Sequence, residues 1–401
     1  MSRSEITLTM ENSITSVNEK SVGKPYAGLD AWRGIASLLV VMCHASSTIT
    51  GRFPELAGLP IYRAGSFGYL GVPLFFVISG FCIAGAACST IKRGGSWWDF
   101  VRARLLRIYP ACWASLILIG LFSVLARHLS QEGHLHTSAL GEIDLLHQSA
   151  LYFVANITLT QPLFHQFYLS VVCWTLSYEL SFYLIVSLFL LKIARLSKQE
   201  SLLSCLHGIT LVSLLMLVVM PQFRIMPMDL WPQFGLGVLV YDVLKHPKET
   251  RPKVCLVAAA LLVTCFLLVR HIPMGPQLEP SRVIFAVSLG FAALLLGLFR
   301  SDSELSQKPV IRQLRIIGSF SYSIYLIHFL VIGLISQTFR LMHITASLHL
   351  LLLFVYFVSA ILVGRLFHQF FELPFMHVKP APKPAAIPNE RKRLLEDLAQ
   401  L

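Results

Sequence analysis

The chain has 401 residues, 55% of them hydrophobic and only 13% charged, with a formal net charge of +12. That balance excludes an ordinary soluble domain and predicts a polytopic membrane protein. The positive charge does not call for nucleic acid as a partner, because loop topology accounts for it.

Residues 1 to 27 are polar and Ser-rich without an apolar core, so they are predicted to be a cytoplasmic tail and not a cleavable signal peptide. Ten apolar stretches follow that reach or approach the roughly 20 helical residues a hydrocarbon core demands. They lie near 28 to 49, 68 to 90, 108 to 127, 171 to 192, 205 to 222, 229 to 245, 253 to 271, 282 to 299, 318 to 339 and 346 to 370. The expectation is an all-α, polytopic transmembrane helical bundle of about ten spans over 28 to 378, with both termini cytoplasmic and a second tail over 379 to 401. With this orientation 24 of the 33 Lys and Arg fall in cytoplasmic segments and 6 in outer loops, the asymmetry that sets membrane topology. Residues 128 to 170 form the one long connection, on the outside. Within it the apolar stretch 151 to 159 is too short to span and is expected to lie at the interface or re-enter.

The first span carries Arg33 and His44, eleven steps apart. Eleven steps turn about 1,100°, so the two side chains lie within about 20° of one helix face, separated by about 16 Å of rise. Ionisable groups inside a bilayer face a bundle interior or a wet cavity, which makes this face a candidate site. The second span places Ser79 and Gly80 near its middle, where small residues allow close packing against the first span or a hydroxyl faces a ligand. At the start of the third span, Arg104 and Arg107 are neighbours on one face. Their forked donors suit phosphate, and ordinary positive-inside anchoring is the other reading.

The fourth span contains Trp174 and Glu179. Counted from the outer ends of their spans, Glu179 and His44 lie at similar depth, so the carboxylate is positioned to meet the imidazole and raise its basicity. An ion pair between Glu179 and an arginine is the alternative. The ninth span presents Ser321, Tyr325 and His328 at spacings of four and three, hence on one face. The Tyr325 hydroxyl is expected to bond to other hydroxyls or backbone carbonyls, while His328 reads equally well as site or core. Glu372, at the end of the last span, is expected to pair with Arg104 and Arg107 or to cap the helix exit.

Eight cysteines sit in or beside apolar spans without a C-x-x-C pair and read as small buried hydrophobes, with only Cys43, beside His44, near a polar group. His128, His134, His136 and His147 in the outer loop lack ligand spacing, so no metal is expected.

Taken together, Leu29-Asp30 with Arg33-x10-His44, the run from Phe75 to Phe81, Arg104-x-x-Arg107-Ile108-Tyr109-Pro110, Trp174-x-Leu176-x-x-Glu179, Ser321-Tyr322-x-x-Tyr325-Leu326-x-His328 and Glu372-x-Pro374 occur in an order that resembles membrane-bound acyltransferase family 3. That family includes bacterial O-antigen, exopolysaccharide and nodulation-factor O-acetyltransferases, and the resemblance covers roughly residues 24 to 378. It implies an acyl donor, acetyl-coenzyme A by family frequency, taken from the cytoplasm. It implies transfer to a hydroxyl of a carbohydrate or glycolipid acceptor in a cell-surface or exported glycan, in a bacterial inner membrane. The catalytic histidine falls on His44, with Arg33 as its charged helix partner and Glu179 as a further charged motif residue. Arg104 and Arg107 match the coenzyme-contact motif, joined by Arg33, and Ser79, Trp174, Tyr325 and His328 are substrate-binding candidates. Direct transfer and an acyl-enzyme relay both remain open. The family's fused extracytoplasmic hydrolase-like domain is not expected in a chain of this length. Buried Arg, His and Glu also line transporters and proton-coupled permeases, but no second copy of the Arg33-x10-His44 pattern and no paired broken helices are present.

Overall fold

A computed structural model describes residues 26–131, 144–193, 199–219, 225–246 and 281–376. Among the described residues the chain is helical and contains no strand. The principal helices are α1 (Leu29–Arg52), α2 (Gly71–Lys92), α3 (Trp97–Gln131), α4 (Ala150–Thr158), α5 (Cys173–Ile193), α6 (Gln199–Val219), α7 (Trp231–Lys245), α8 (Ser281–Leu298), α9 (Pro309–Ser319), α10 (Ser321–Leu341) and α11 (His349–Phe367). Seven helical stretches are long and apolar enough to cross a membrane, built on α1, α2, α3, α5, α8, α10 and α11. The expectation of ten spans is met to that extent. Two of the other three stretches form α6 and α7, whose apolar cores are shorter, and 253 to 271 lies outside the described residues.

α7 departs most from a simple spanning helix. Its 15 residues rise only about 22 Å, less than a hydrocarbon core of about 30 Å. It is buried from Trp231 to Val240 without interruption, so it is a helix of the protein interior. Phe182 of α5 stacks on Phe234 at 4.1 Å between centroids, with the Trp231 ring 5.3 Å from Phe182. The glycines explain how α7 fits there. A Cβ on Gly80 would overlap the backbone oxygen of Phe234, and one on Gly237 would overlap that of Val77. α2 and α7 therefore cross backbone to backbone, which only glycine permits. Gly80 serves close packing as expected of a small residue, but against α7 and not against the first span.

A second such crossing fixes α1. The backbone of α9 passes over it where Gly34 faces the Leu314 oxygen and Gly318 faces the Asp30 oxygen, next to Arg33. The start of α1 has no side-chain cap of its own. Both oxygens of Asp302 fill that role from across the chain, accepting from the Ala27 and Gly28 amides at 2.7 and 2.8 Å. Asp302→Ala is expected to leave both donors unpaired and cost about 1–3 kcal/mol. A lowered melting temperature of the detergent-solubilised protein would register the loss, and an unchanged one would mean that water replaces the carboxylate.

α3 extends further than its apolar core. The expected apolar core begins at 108 and the helix itself starts at Trp97, so Arg102, Arg104 and Arg107 lie on the helix, as the shared face of Arg104 and Arg107 requires. At 35 residues it measures about 52 Å, enough to project past a bilayer core. The short apolar stretch of the long connection forms α4, capped by Ser149 and ended by Leu159 in the left-handed region. The Tyr109 hydroxyl and the Trp113 indole N–H of α3 bind it, donating to the carbonyls of Thr158 at 3.0 Å and Ile157 at 2.9 Å. α11 ends in a π-helical turn, His368–Glu372, a departure from α geometry often found beside functional groups.

Candidate functional site

α1, α2, α3, α5 and α10 enclose a cavity of about 120 Å³. Arg33 enters it from α1, Ser79 from α2, Arg104 and Arg107 from α3, Glu179 from α5, and Tyr325 from α10. Five helices far apart in sequence thus bring together the charged candidates at one place. Glu179 is already engaged. Its Oε1 accepts from the Ser79 hydroxyl at 2.9 Å and from the Tyr183 hydroxyl at 2.5 Å. The expected meeting with His44 does not occur in this arrangement, because the carboxylate turns into the cavity, which His44 does not line.

The arginines are less fully matched. Arg33 has Asp30 at 3.8 Å on its own helix. The Arg104 guanidinium lies over the rings of Phe100 and Tyr183 at 5.7 and 6.0 Å, and its Nε is buried with no hydrogen-bond partner. Three guanidinium groups around one cavity, with a single lining carboxylate held by two hydroxyls, leave an excess of positive charge in a poorly solvated space. Half-buried cations that outnumber the carboxylates around them attract an anion, and forked donors suit phosphate or carboxylate oxygens. Among the described residues Glu372 makes no direct ion pair with Arg104 or Arg107, although its charge still acts on Arg107 through space. It accepts from the Ser323 hydroxyl at 2.6 Å and pairs with His368 Nδ1 at 2.8 Å, within the α10–α11 contact.

His44 occupies a separate place further along α1. Its half-buried ring packs against His328, with centroids 5.2 Å apart, and edge-on to Phe329 at 5.6 Å. Tyr325 joins the two regions. It lines the cavity, its ring lies 5.9 Å from that of His328, and its hydroxyl bonds to Thr175 Oγ1 at 2.8 Å and the Val172 carbonyl at 3.2 Å. The hydroxyl thus has the hydroxyl and carbonyl partners expected of it. Trp174 lies outside the cavity lining, against Phe76 and Tyr178.

Several lining residues escaped sequence reasoning. Tyr183 is one turn beyond Glu179, and its i, i+4 spacing was a signal available from the start. Tyr322 also lines the cavity and donates its hydroxyl to the Ile108 carbonyl at 2.9 Å, tying α10 to the arginine helix. Cys82, read as a buried hydrophobe, shares the cavity with the three arginines, whereas Cys43 contacts the Ser66 carbonyl. Among the described residues no group of three or more His, Cys, Asp or Glu is arranged to hold a metal ion. His134 and His136 lie outside the described residues, and His147 pairs with Asp144 at 2.9 Å.

Comparison with known proteins agrees with the motif order. The chain is 26% identical over 394 residues to the acyltransferase MdmB of Streptomyces mycarofaciens, covering 89% of this chain and 93% of that one. It is 24% identical over 293 residues to the peptidoglycan O-acetyltransferase OatA of Listeria monocytogenes, covering 67% of this chain and 45% of the relative. It is also 24% identical over 340 residues to the O-acetyltransferase OatA of Staphylococcus aureus, covering 77% and 51%. The chain therefore spans about half the length of the two OatA proteins. No solved structure matches it. The acyltransferase domain of family 3 matches residues 26–368, nearly all of the helical bundle, and the chain belongs to membrane acyltransferase family 3.

Proposed function

We propose that the protein is an integral membrane O-acyltransferase of a bacterial cell membrane that moves an acetyl group from cytoplasmic acetyl-coenzyme A to a hydroxyl of a cell-surface or exported glycan. The observation that carries this reading is the cavity shared by Arg33, Arg104 and Arg107, with the Arg104 Nε lacking a partner. A coenzyme with several phosphates supplies the negative charge that this cavity lacks. The thioester lies at the other end of the coenzyme's extended pantetheine arm, and His44 lies about 16 Å from Arg33 along the same helix face.

In this reading Arg104 and Arg107 grip phosphate, and Arg33 holds the arm or stabilises the oxyanion. His44 takes the proton of the acceptor hydroxyl as its oxygen bonds to the acyl carbon, and the carbon–sulfur bond breaks to release the coenzyme thiolate. Glu179 holds Ser79 and Tyr183 in place at the donor cavity and is not the partner of the base. The name of the Listeria relative, a peptidoglycan O-acetyltransferase, supports a glycan acceptor. Labelled acetyl-coenzyme A supplied to membranes with and without the protein tests the reading. Label should appear in glycan as one acetyl increment by mass spectrometry, whereas translocation of an unmodified solute would favour a transporter.

A further inference from the structure

His328 is fully buried on α10, with 0% of its surface exposed. Its Nδ1 lies 2.8 Å from the Tyr325 carbonyl oxygen and 3.1 Å from that of Ile324. Carbonyl oxygens only accept, so Nδ1 carries the ring proton and Nε2 is left as a bare acceptor. That Nε2 is buried and has no hydrogen-bond partner. Most buried acceptors in folded proteins find a partner, so a bare one calls for an explanation. The imidazole packed beside the His328 ring is that of His44, 5.2 Å between centroids and inclined by 45°. Among the described residues the His44 ring likewise has no hydrogen-bond partner, so two rings with complementary unused groups lie side by side.

We propose that His328 is the positioning residue of His44, accepting the N–H of the His44 ring at its own Nε2. A modest turn of the two edges towards each other, of the kind that substrate binding tightens, completes the bond. Accepting that proton fixes the His44 tautomer and leaves the other His44 nitrogen as the free base, as a carboxylate does in many histidine sites. When His44 takes up the acceptor's proton it becomes an imidazolium, and its N–H bond to neutral His328 becomes charge-assisted. No proton leaves His328, whose Nδ1–H stays on the α10 carbonyls. The assignment also explains how a base works here while Glu179 is held by Ser79 and Tyr183. It rests on the reading of His44 as the base.

Two substitutions separate positioning from packing. His328→Phe keeps a ring and removes the acceptor, whereas His328→Gln keeps a donor and an acceptor on one amide. The Phe variant should lose about 10- to 100-fold in kcat with the KM for acetyl-coenzyme A unchanged, and the Gln variant should recover most of it. A Phe variant as active as the parent, or more active than Gln, would overturn the proposal. A second measurement needs no turnover. Carbethoxylation of His44 by diethyl pyrocarbonate, followed by peptide mass spectrometry in intact membranes, should slow in the Phe variant and return with Gln. Equal rates in all three proteins would overturn the proposal. Full activity of His44→Ala would instead remove the base reading, even if the reactivity of His44 still answered to His328.

Discussion

His44→Ala is expected to bring acyl transfer down to background while the protein still inserts and folds. General-base catalysis contributes typically 10²- to 10⁴-fold, so a loss of at least that order is anticipated. Alanine is a strong helix former, and the replaced ring is only half-buried at its contacts with His328 and Phe329, so α1 keeps its course. Transfer of labelled acetyl into glycan measures the effect, with membrane-inserted protein quantified in the same preparation. Product at the parental rate would remove His44 from the chemistry and leave the donor cavity intact as a separate conclusion.

Replacing both Arg104 and Arg107 with lysine separates coenzyme binding from membrane anchoring. Lysine keeps the charge that orients α3 but lacks the planar fork and the flat face that Arg104 lays over Phe100 and Tyr183. If the pair grips phosphate, apparent affinity for acetyl-coenzyme A should fall about tenfold for each 1.4 kcal/mol lost. With about that much lost at each position, the total is roughly 100-fold. Donor-saturation kinetics or titration calorimetry on the purified variant reads this directly. An unaltered affinity would return both residues to anchoring. The expected pattern is the complement of that for His44→Ala, which should leave donor binding near its parental value.

Much of the site was legible in the chain because helical geometry is local. Arg33 and His44 were placed on one face by counting steps, and in the structure Arg33 lines the cavity while His44 packs on α10. Ser321, Tyr325 and His328 share a face by the same period, and the first two reach the cavity while His328 packs on His44. The partners of Glu179 were not legible in this way. Similar depth in two spans allowed it to meet His44, but the choice among the groups at one depth depends on helix rotation and crossing. Here α2 and α5 turn Ser79 and Tyr183 onto the carboxylate instead. Glu372 shows the same limit: the sequence left open a pairing with the arginines or a cap at the helix exit, and the carboxylate is held by Ser323 and His368.

The sequence by itself determined the class, an all-helical membrane protein of the acyltransferase family. Apolar run length and motif order survive without knowledge of packing, because each is a property of one segment or of the order of segments. Only the tertiary structure decided that α7 is an interior helix, since its crossing with α2, made by one glycine on each helix, is a contact between backbones far apart in the chain. It also decided that the arginines gather around one cavity while the two histidines meet beyond it. Which side chains share a space is set by how helices rotate and cross to fill the interior, and no single helix carries that information.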